Sequence, residues 1–244
     1  MGDFVLLRKE DIECIVTADG SQTLFHKKLN VSYKSEHGAQ QESMHIFIDG
    51  CQLKNIPTCW HVLELGLGSA RNFLNTLVLA EQMGVVLHYE ALEWEPIPPE
   101  FVAEIPNSSV GRQAVQKLLQ DVRRDHQRAE ITFGECDHHL VLHPFSYEQT
   151  LLPRHFFHAL FHDPFAMGVN EESWSVDYFR WAYGVLQKDG ILATYSSAGQ
   201  IRRNLATAGF YVGVTSGPGK KKEISLASAK EDRIAHCKIK NRPI

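Results

Sequence analysis

The chain predicts a doubly wound α/β domain on a mostly parallel sheet, with a small antiparallel β lobe at its N-terminal end. Three observations carry this. Residues 61–65, His-Val-Leu-Glu-Leu, are an apolar strand that runs into Gly66-Leu-Gly68 and then a helix start at residues 71–74, the strand, turn and helix of a nucleotide cradle. Strands alternate with helical stretches from residue 61 to residue 214, as in βαβ units. The last two strands, residues 209–214 and 224–227, lie close together in sequence, which predicts a terminal antiparallel hairpin.

Taken in order, residues 12–17 and 23–25 read as strands around a turn at Ala18-Asp-Gly-Ser21, and residues 44–49 as a third strand stopped by Gly50. Between them, residues 33–43 mix Tyr33, His37 and Glu42 with other polar groups, more chemistry than a plain connector needs, so the stretch is expected to cap a site. This assigns residues 1–55 to a β lobe and site cap and residues 56–244 to the main domain. After the cradle, residues 73–83 form an amphipathic helix and residues 85–93 a strand ending on Glu93. Pro96-Ile-Pro-Pro99 breaks the chain before a charged helix over residues 110–127. Residues 129–133 are a short strand ending at Gly134-Glu-Cys-Asp137, a candidate adenine-edge loop that includes Glu135. Residues 155–162 are an apolar strand stopping at Asp163-Pro164. Its alternation puts His158 and His162 on one face, yet no third ligand stands at a recognisable spacing, so no metal is expected. A helix over residues 173–186, a strand over residues 191–195, a turn at Ser196-Ser-Ala-Gly199 and a helix over residues 200–207 follow. The polar tail after Ala229 is expected to be loosely held.

Composition narrows the function. With 244 residues, 43% of them hydrophobic, the chain can bury a substantial core. A net charge of −4 means that a nucleic-acid partner would have to be held by a local basic patch, for which Arg202, Arg203 and the run Lys220, Lys221, Lys222 are candidates. Five cysteines without a C-x-x-C pair argue against a disulfide framework or zinc and for a reducing, cytoplasmic setting. No apolar run reaches membrane-spanning length.

The cradle itself separates two ligands. A dinucleotide fingerprint needs a small residue where Arg71 stands, and a long side chain there is expected to crowd a pyrophosphate. Glu64-Leu-Gly66-Leu-Gly68 instead suits a small cationic ligand, because a carboxylate at the strand end attracts an ammonium or sulfonium group. S-adenosyl-L-methionine meets that description, with Glu93 placed at the tip of the next strand to accept from two ribose hydroxyls.

The series Phe161-His-Asp-Pro-Phe-Ala-Met-Gly-Val-Asn-Glu-Glu-Ser-Trp174, Gly190-Ile-Leu-Ala-Thr-Tyr-Ser-Ser-Ala-Gly199, Ala208-Gly-Phe210 and Gly217-Pro-Gly-Lys-Lys-Lys-Glu223 resembles the methyltransferase domain of the bacterial tRNA wobble-uridine modification enzymes (MnmC-like, or MnmD-like where it stands alone). The likeness extends to Ala18-Asp-Gly-Ser21, His37-Gly-Ala-Gln-Gln-Glu-Ser43, residues 64–74 and Leu92-Glu93. It implies a class I, Rossmann-like methyltransferase with a seven-stranded sheet. It implies S-adenosyl-L-methionine as cofactor, no metal, no flavin in this chain, and methylation of 5-aminomethyl-2-thiouridine in the tRNA anticodon region. Carried onto this sequence, Asp163 is the expected catalytic residue. Glu64, Gly66, Gly68, Asn72, Glu93 and Glu135 are the expected cofactor contacts, and Tyr33, His37, Glu42, Tyr195, Ser196, Arg202, Arg203 and Lys220 to Lys222 the expected substrate contacts. Arg71, Glu135, Met167 and Glu171 depart from the family pattern. A methyltransferase acting on a small molecule or protein, or a silent RNA-binding module in which Arg71 blocks the cofactor, stays open at this point.

Overall fold

The computed structural model describes residues 6–219 and 223–244. Strands β1 (Ile12–Val16), β2 (Gln22–His26) and β3 (Val31–Ser32) form a three-stranded antiparallel sheet in that order. The segment after it departs from the sequence expectation. Helix α1 (Ala39–Glu42) runs on as a π-helical stretch, Ser43–Asp49, where residues 44–49 were expected as a strand. Ile46, Phe47 and Ile48 are all fully buried. A strand with one buried face would send the middle one of these to solvent, and a short apolar run by itself does not tell a buried helix from a strand.

The large sheet has nine strands, not seven. Its elements are β4 (Trp60–Leu65), α2 (Arg71–Met83), β5 (Leu87–Leu92), α3 (Ser109–Asp125), β6 (Ala129–Phe133), β7 (His138–His143), β8 (Phe157–His162), α4 (Val176–Val185), β9 (Leu186–Thr194), α5 (Gly199–Thr207), β10 (Tyr211–Ser216), β11 (Glu223–Ser228) and β12 (Lys238–Asn241). The strand order is β12-β10-β11-β9-β8-β4-β5-β7-β6. From β7 through β5, β4 and β8 to β9 the neighbours are parallel, and β10 and β11 form the expected antiparallel hairpin. Two strands escape the sequence pattern. β7 follows β6 as an antiparallel hairpin with Phe133 opposite His138, and the His residues at its two ends mask an apolar core of Leu140, Val141 and Leu142. β12 is drawn from the polar tail and pairs with β10; its outward Lys238 and Lys240 suit an edge strand, where charge discourages pairing with another chain.

The sheet divides two cores. On one side α2, α3 and the π-helical stretch pack through Phe73, Leu77, Leu118 and Phe47. On the other α4 and α5 pack through Tyr178, Phe179 and Leu205. Helix α4 starts on Ser175, whose hydroxyl accepts the Tyr178 N–H at 3.1 Å, an ordinary N-cap. Because β4, β5, β7, β8 and β9 are parallel, their carboxyl ends share one edge, where open α/β sheets hold ligands. Among the described residues no helix is long and apolar enough to cross a membrane.

Candidate active site

A cavity of about 360 Å³ opens at that edge, within the range of small-ligand pockets, roughly 300–1,000 Å³. Its floor is the turn from β4 to α2. Gly66 (φ +85) and Gly68 (φ +50) both take left-handed backbone, and neither has room for a side chain. A Cβ on Gly66 would lie 2.9 Å from the Asp163 carbonyl oxygen, and one on Gly68 would lie 2.9 Å from the Tyr33 ring. Glycine is therefore required twice over, by backbone conformation and by close approach. Glu93 follows β5 and braces this turn, its carboxylate accepting the Gly68 N–H and the Glu95 N–H, each at 2.9 Å. Burial raises the Glu93 carboxyl above the ordinary carboxylate range.

Asp163 follows β8, its N–H continuing the parallel ladder to the Leu65 carbonyl at 3.1 Å. Asp163 is one of the residues lining the cavity, and its side chain, 6% exposed, is paired with the Lys34 ammonium. Asn72, on the first turn of α2, donates to Asp163 Oδ2 at 3.0 Å and to Glu64 Oε1 at 2.6 Å. The Tyr89 hydroxyl donates to the other Glu64 oxygen at 2.7 Å. A chain of side chains thus runs from Tyr89 and Glu64 through Asn72 and Asp163 to Lys34. Burial pushes the Asp163 carboxyl up to about 6, with Lys34 opposing and Glu42 adding to the rise. Burial likewise pushes Glu64 up to about 8.

The lining chemistry decides between ligand classes. Glu93, Glu95, Asp163 and Glu172 face the cavity, and among its lining residues the only cation is Lys34, already paired. Such walls repel a pyrophosphate and suit a cationic ligand, so S-adenosyl-L-methionine fits the residues present. A family model described as S-adenosyl-L-methionine-dependent methyltransferase matches residues 108–230. This chain belongs to that family.

Around this match, two curated relatives are the tRNA 5-methylaminomethyl-2-thiouridine biosynthesis bifunctional proteins MnmC of Cupriavidus necator and Magnetococcus marinus. The first is 28% identical over 90% of this chain and the second 29% over 85%. The chain spans about a third of their length, 34% and 32% respectively. The crystal structure of MNMC2 from Aquifex aeolicus superposes with a TM-score of 0.72 at 23% identity, over 94% of this chain and 77% of that one, which shows the shared class I methyltransferase fold.

The methyltransferase site corrects several sequence-based expectations. Glu64 does not line the cavity. It is 0% exposed and sits beneath Asp163, because alternation along β4 turns it to the α2 side with Val62. Asn72 is likewise buried and braces the two acids without lining the cavity. Glu135 is far from the site: residues 134–137 are the β6–β7 hairpin turn, at the amino-terminal end of β7, whereas the cavity lies at its carboxyl end. The loop that does line the cavity there is Phe145, Ser146 and Tyr147. His37 is exposed, its N–H held by Ser35 Oγ at 3.2 Å, and it does not line the cavity. Arg71 does not block the pocket; its guanidinium turns away to the Gln22 carbonyl at 2.7 Å and to Gln40 Oε1 at 3.0 Å, tying the cradle to the N-terminal sheet.

The remaining candidates gather around the cavity in two tiers. Tyr33 lines it, packed edge-on against Phe165 with ring centroids 5.0 Å apart. Tyr195 follows β9 and donates to the Pro164 carbonyl at 3.0 Å. Buried Glu42 accepts the Ser35 N–H at 2.7 Å and lies close enough to raise both Asp163 and Tyr195. Ser196 is half-buried, and Arg202 and Arg203 lie in the N-terminal half of α5, at the same sheet edge but outside the cavity. Lys220, Lys221 and Lys222 lie outside the described residues. Sequence reasoning missed Lys34 and Tyr89. For Tyr89 a signal exists: a tyrosine on the buried face of a strand needs a partner for its hydroxyl, and Glu64 on the neighbouring strand supplies it.

The protonation of Glu64 has a consequence for stability. Its folded-state value stands above the ordinary 4.5, so the folded chain holds a proton that the unfolded chain releases. The contribution is full below pH 4.5 and is lost as the pH rises to about 8. Glu64→Gln removes that titration. Urea unfolding at about pH 6 and about pH 9 is expected to show a clearly smaller loss of stability in the variant than in the wild type; equal losses would mean that Glu64 is ionised in the folded chain.

Proposed function

We propose that this methyltransferase converts 5-aminomethyl-2-thiouridine at the tRNA wobble position to 5-methylaminomethyl-2-thiouridine. The observation that carries the reading is Asp163, a lining residue of the cavity, with its backbone packed against Gly66 of the Gly66–Gly68 turn. Its support comes from relatives named for the biosynthesis of that nucleoside. When bound, S-adenosyl-L-methionine supplies an electrophilic methyl group, and Gly66, Gly68 and Glu93 would hold it. The chemistry left to the protein is to present a neutral amine and to take its proton. Lys34 and Asn72 both contact Asp163 through Oδ2, which leaves Oδ1 to orient the amine and accept that proton. Tyr33, Phe165 and Tyr195 offer aromatic surface to frame the base. The five cysteines, all free, accord with a reducing, cytoplasmic setting.

For tRNA, the basic groups proposed to meet phosphates are Arg202, Arg203 and Lys220 to Lys222. Replacing the three lysines by Ala is expected to reduce the slope of log affinity against log salt by roughly one unit for each phosphate that is no longer neutralised. An unaltered slope would make the run a solvated turn. The reading as a whole is tested by offering methyl-labelled S-adenosyl-L-methionine with three acceptors: tRNA lacking this methyl group, fully modified tRNA, and an RNA-free cell extract. Label is expected in the first alone. Label in the extract instead would assign the enzyme to a small-molecule or protein acceptor.

A further inference from the structure

The Lys34–Asp163 pair is buried on both sides, the two side chains being 8% and 6% exposed. Lys34 reaches it from the segment after β3. Its backbone N–H is fixed by the Thr23 hydroxyl at 3.0 Å, and its ammonium stands 4.7 Å from the Phe47 ring centroid, a cation–π distance. Three independent elements, the N-terminal sheet, the π-helical stretch and the loop after β8, therefore converge to place one ammonium on one carboxylate. Among the described residues, the groups facing Asp163 are otherwise acidic or neutral: Glu42 from α1, Asn72 from α2 with Glu64 and Tyr89 behind it, and Tyr195 after β9. Without Lys34, only the Asn72 hydrogen bond in this set would favour an anion at Asp163, against burial and the neighbouring acids. A buried acid among other acids takes up a proton, and a protonated Asp163 can no longer receive one.

Resting on the function proposed above, we propose that Lys34 is a positioning residue of the reaction: its ammonium keeps Asp163 an anion with Oδ2 occupied and Oδ1 turned to the acceptor amine. A second effect follows from the same charge. An acceptor entering as an ammonium meets Lys34 as a like charge, whereas the free amine does not, so the site selects the form whose lone pair can react. The proton of the entering ammonium is left to solvent, and the proton released on methylation goes to Asp163.

The test compares wild type, Lys34→Met, which keeps length without charge, and Lys34→Arg, which keeps charge. In Lys34→Met the acid limb of the kcat/KM profile for tRNA methylation is expected to move up by about one to three pH units, the effect of an opposite charge at close range. Lys34→Arg restores the limb, and S-adenosyl-L-methionine binds Lys34→Met no more weakly than wild type, since a cation has been removed from the wall of a site for a cation. A purely structural role would lower activity at every pH and leave the limb in place. In parallel, the Asp163 carboxyl carbon is titrated by carbon-13 NMR, its signal assigned by its loss in Asp163→Asn. A midpoint that rises in Lys34→Met supports the proposal even if wild type fails to methylate tRNA, a failure that would overturn only the substrate assignment. An unmoved midpoint, or an unmoved acid limb in an active Lys34→Met enzyme, overturns the role of Lys34.

Discussion

Asp163→Asn is expected to lower single-turnover methyl transfer about a hundredfold, the range of a general acid–base residue, with cofactor affinity nearly unchanged. Asn preserves the size and can still face the cavity, but it cannot take the amine proton. The substitution has a second, separable consequence. It strips the buried Lys34 ammonium of its counter-ion, and breaking a buried pair by removing one partner typically costs about 3–5 kcal/mol. Thermal unfolding of Asp163→Asn should therefore fall well below wild type. The double variant Lys34→Met with Asp163→Asn should recover most of that stability and none of the turnover, because the first depends on pairing and the second on a base. Near-normal turnover in the single variant would mean that the proton leaves by another route, and Asp163 would be a turn residue.

Glu93→Ala is expected to weaken S-adenosyl-L-methionine binding by about ten- to a hundredfold by calorimetry, the loss of one to two hydrogen bonds to a charged acceptor. Glu93 also holds the Gly68 N–H, so part of that loss would come from a loosened cradle. Glu93→Gln separates the two contributions: its amide oxygen can still accept the Gly68 N–H, so it should keep the turn while losing most of the ribose interaction. Affinity unchanged in both variants would remove Glu93 from the binding site.

The sequence disclosed those parts of the site that depend on local order. A strand, two glycines and a helix start are contiguous, and Glu93 and Asp163 each terminate an apolar strand, so topology alone brings them to one edge. It misled where the outcome depended on which way a side chain turns. Glu64 lies one residue from the strand end, and the period of two that makes β4 legible also buries it. Glu135 was attached to the wrong end of the sheet because β7, with His at three of its six positions, did not read as a strand, and a missed strand reverses the chain direction after it. Residues 44–49 hold a short apolar run, Ile46-Phe47-Ile48, that suits a buried strand and a buried helix alike, and the chain buries all three in a helix. Lys34 was hidden for a different reason: in a polar stretch a lysine looks solvated, and only the packing of Phe47 and the loop after β8 around it makes it a buried cation. Arg71 shows the converse, a residue that looked obstructive and instead fastens the cradle to the N-terminal sheet.

The central claim, methyl transfer to the wobble aminomethyl group, is tested most directly by nucleoside mass spectrometry. The wild-type chain is incubated with S-adenosyl-L-methionine and tRNA whose wobble position carries 5-aminomethyl-2-thiouridine, and the tRNA is then digested. The account predicts that this nucleoside declines as 5-methylaminomethyl-2-thiouridine rises in equal amount, with Asp163→Asn producing little of it in the same time. Persistence of the unmethylated nucleoside, under conditions where calorimetry shows the cofactor bound, would contradict it.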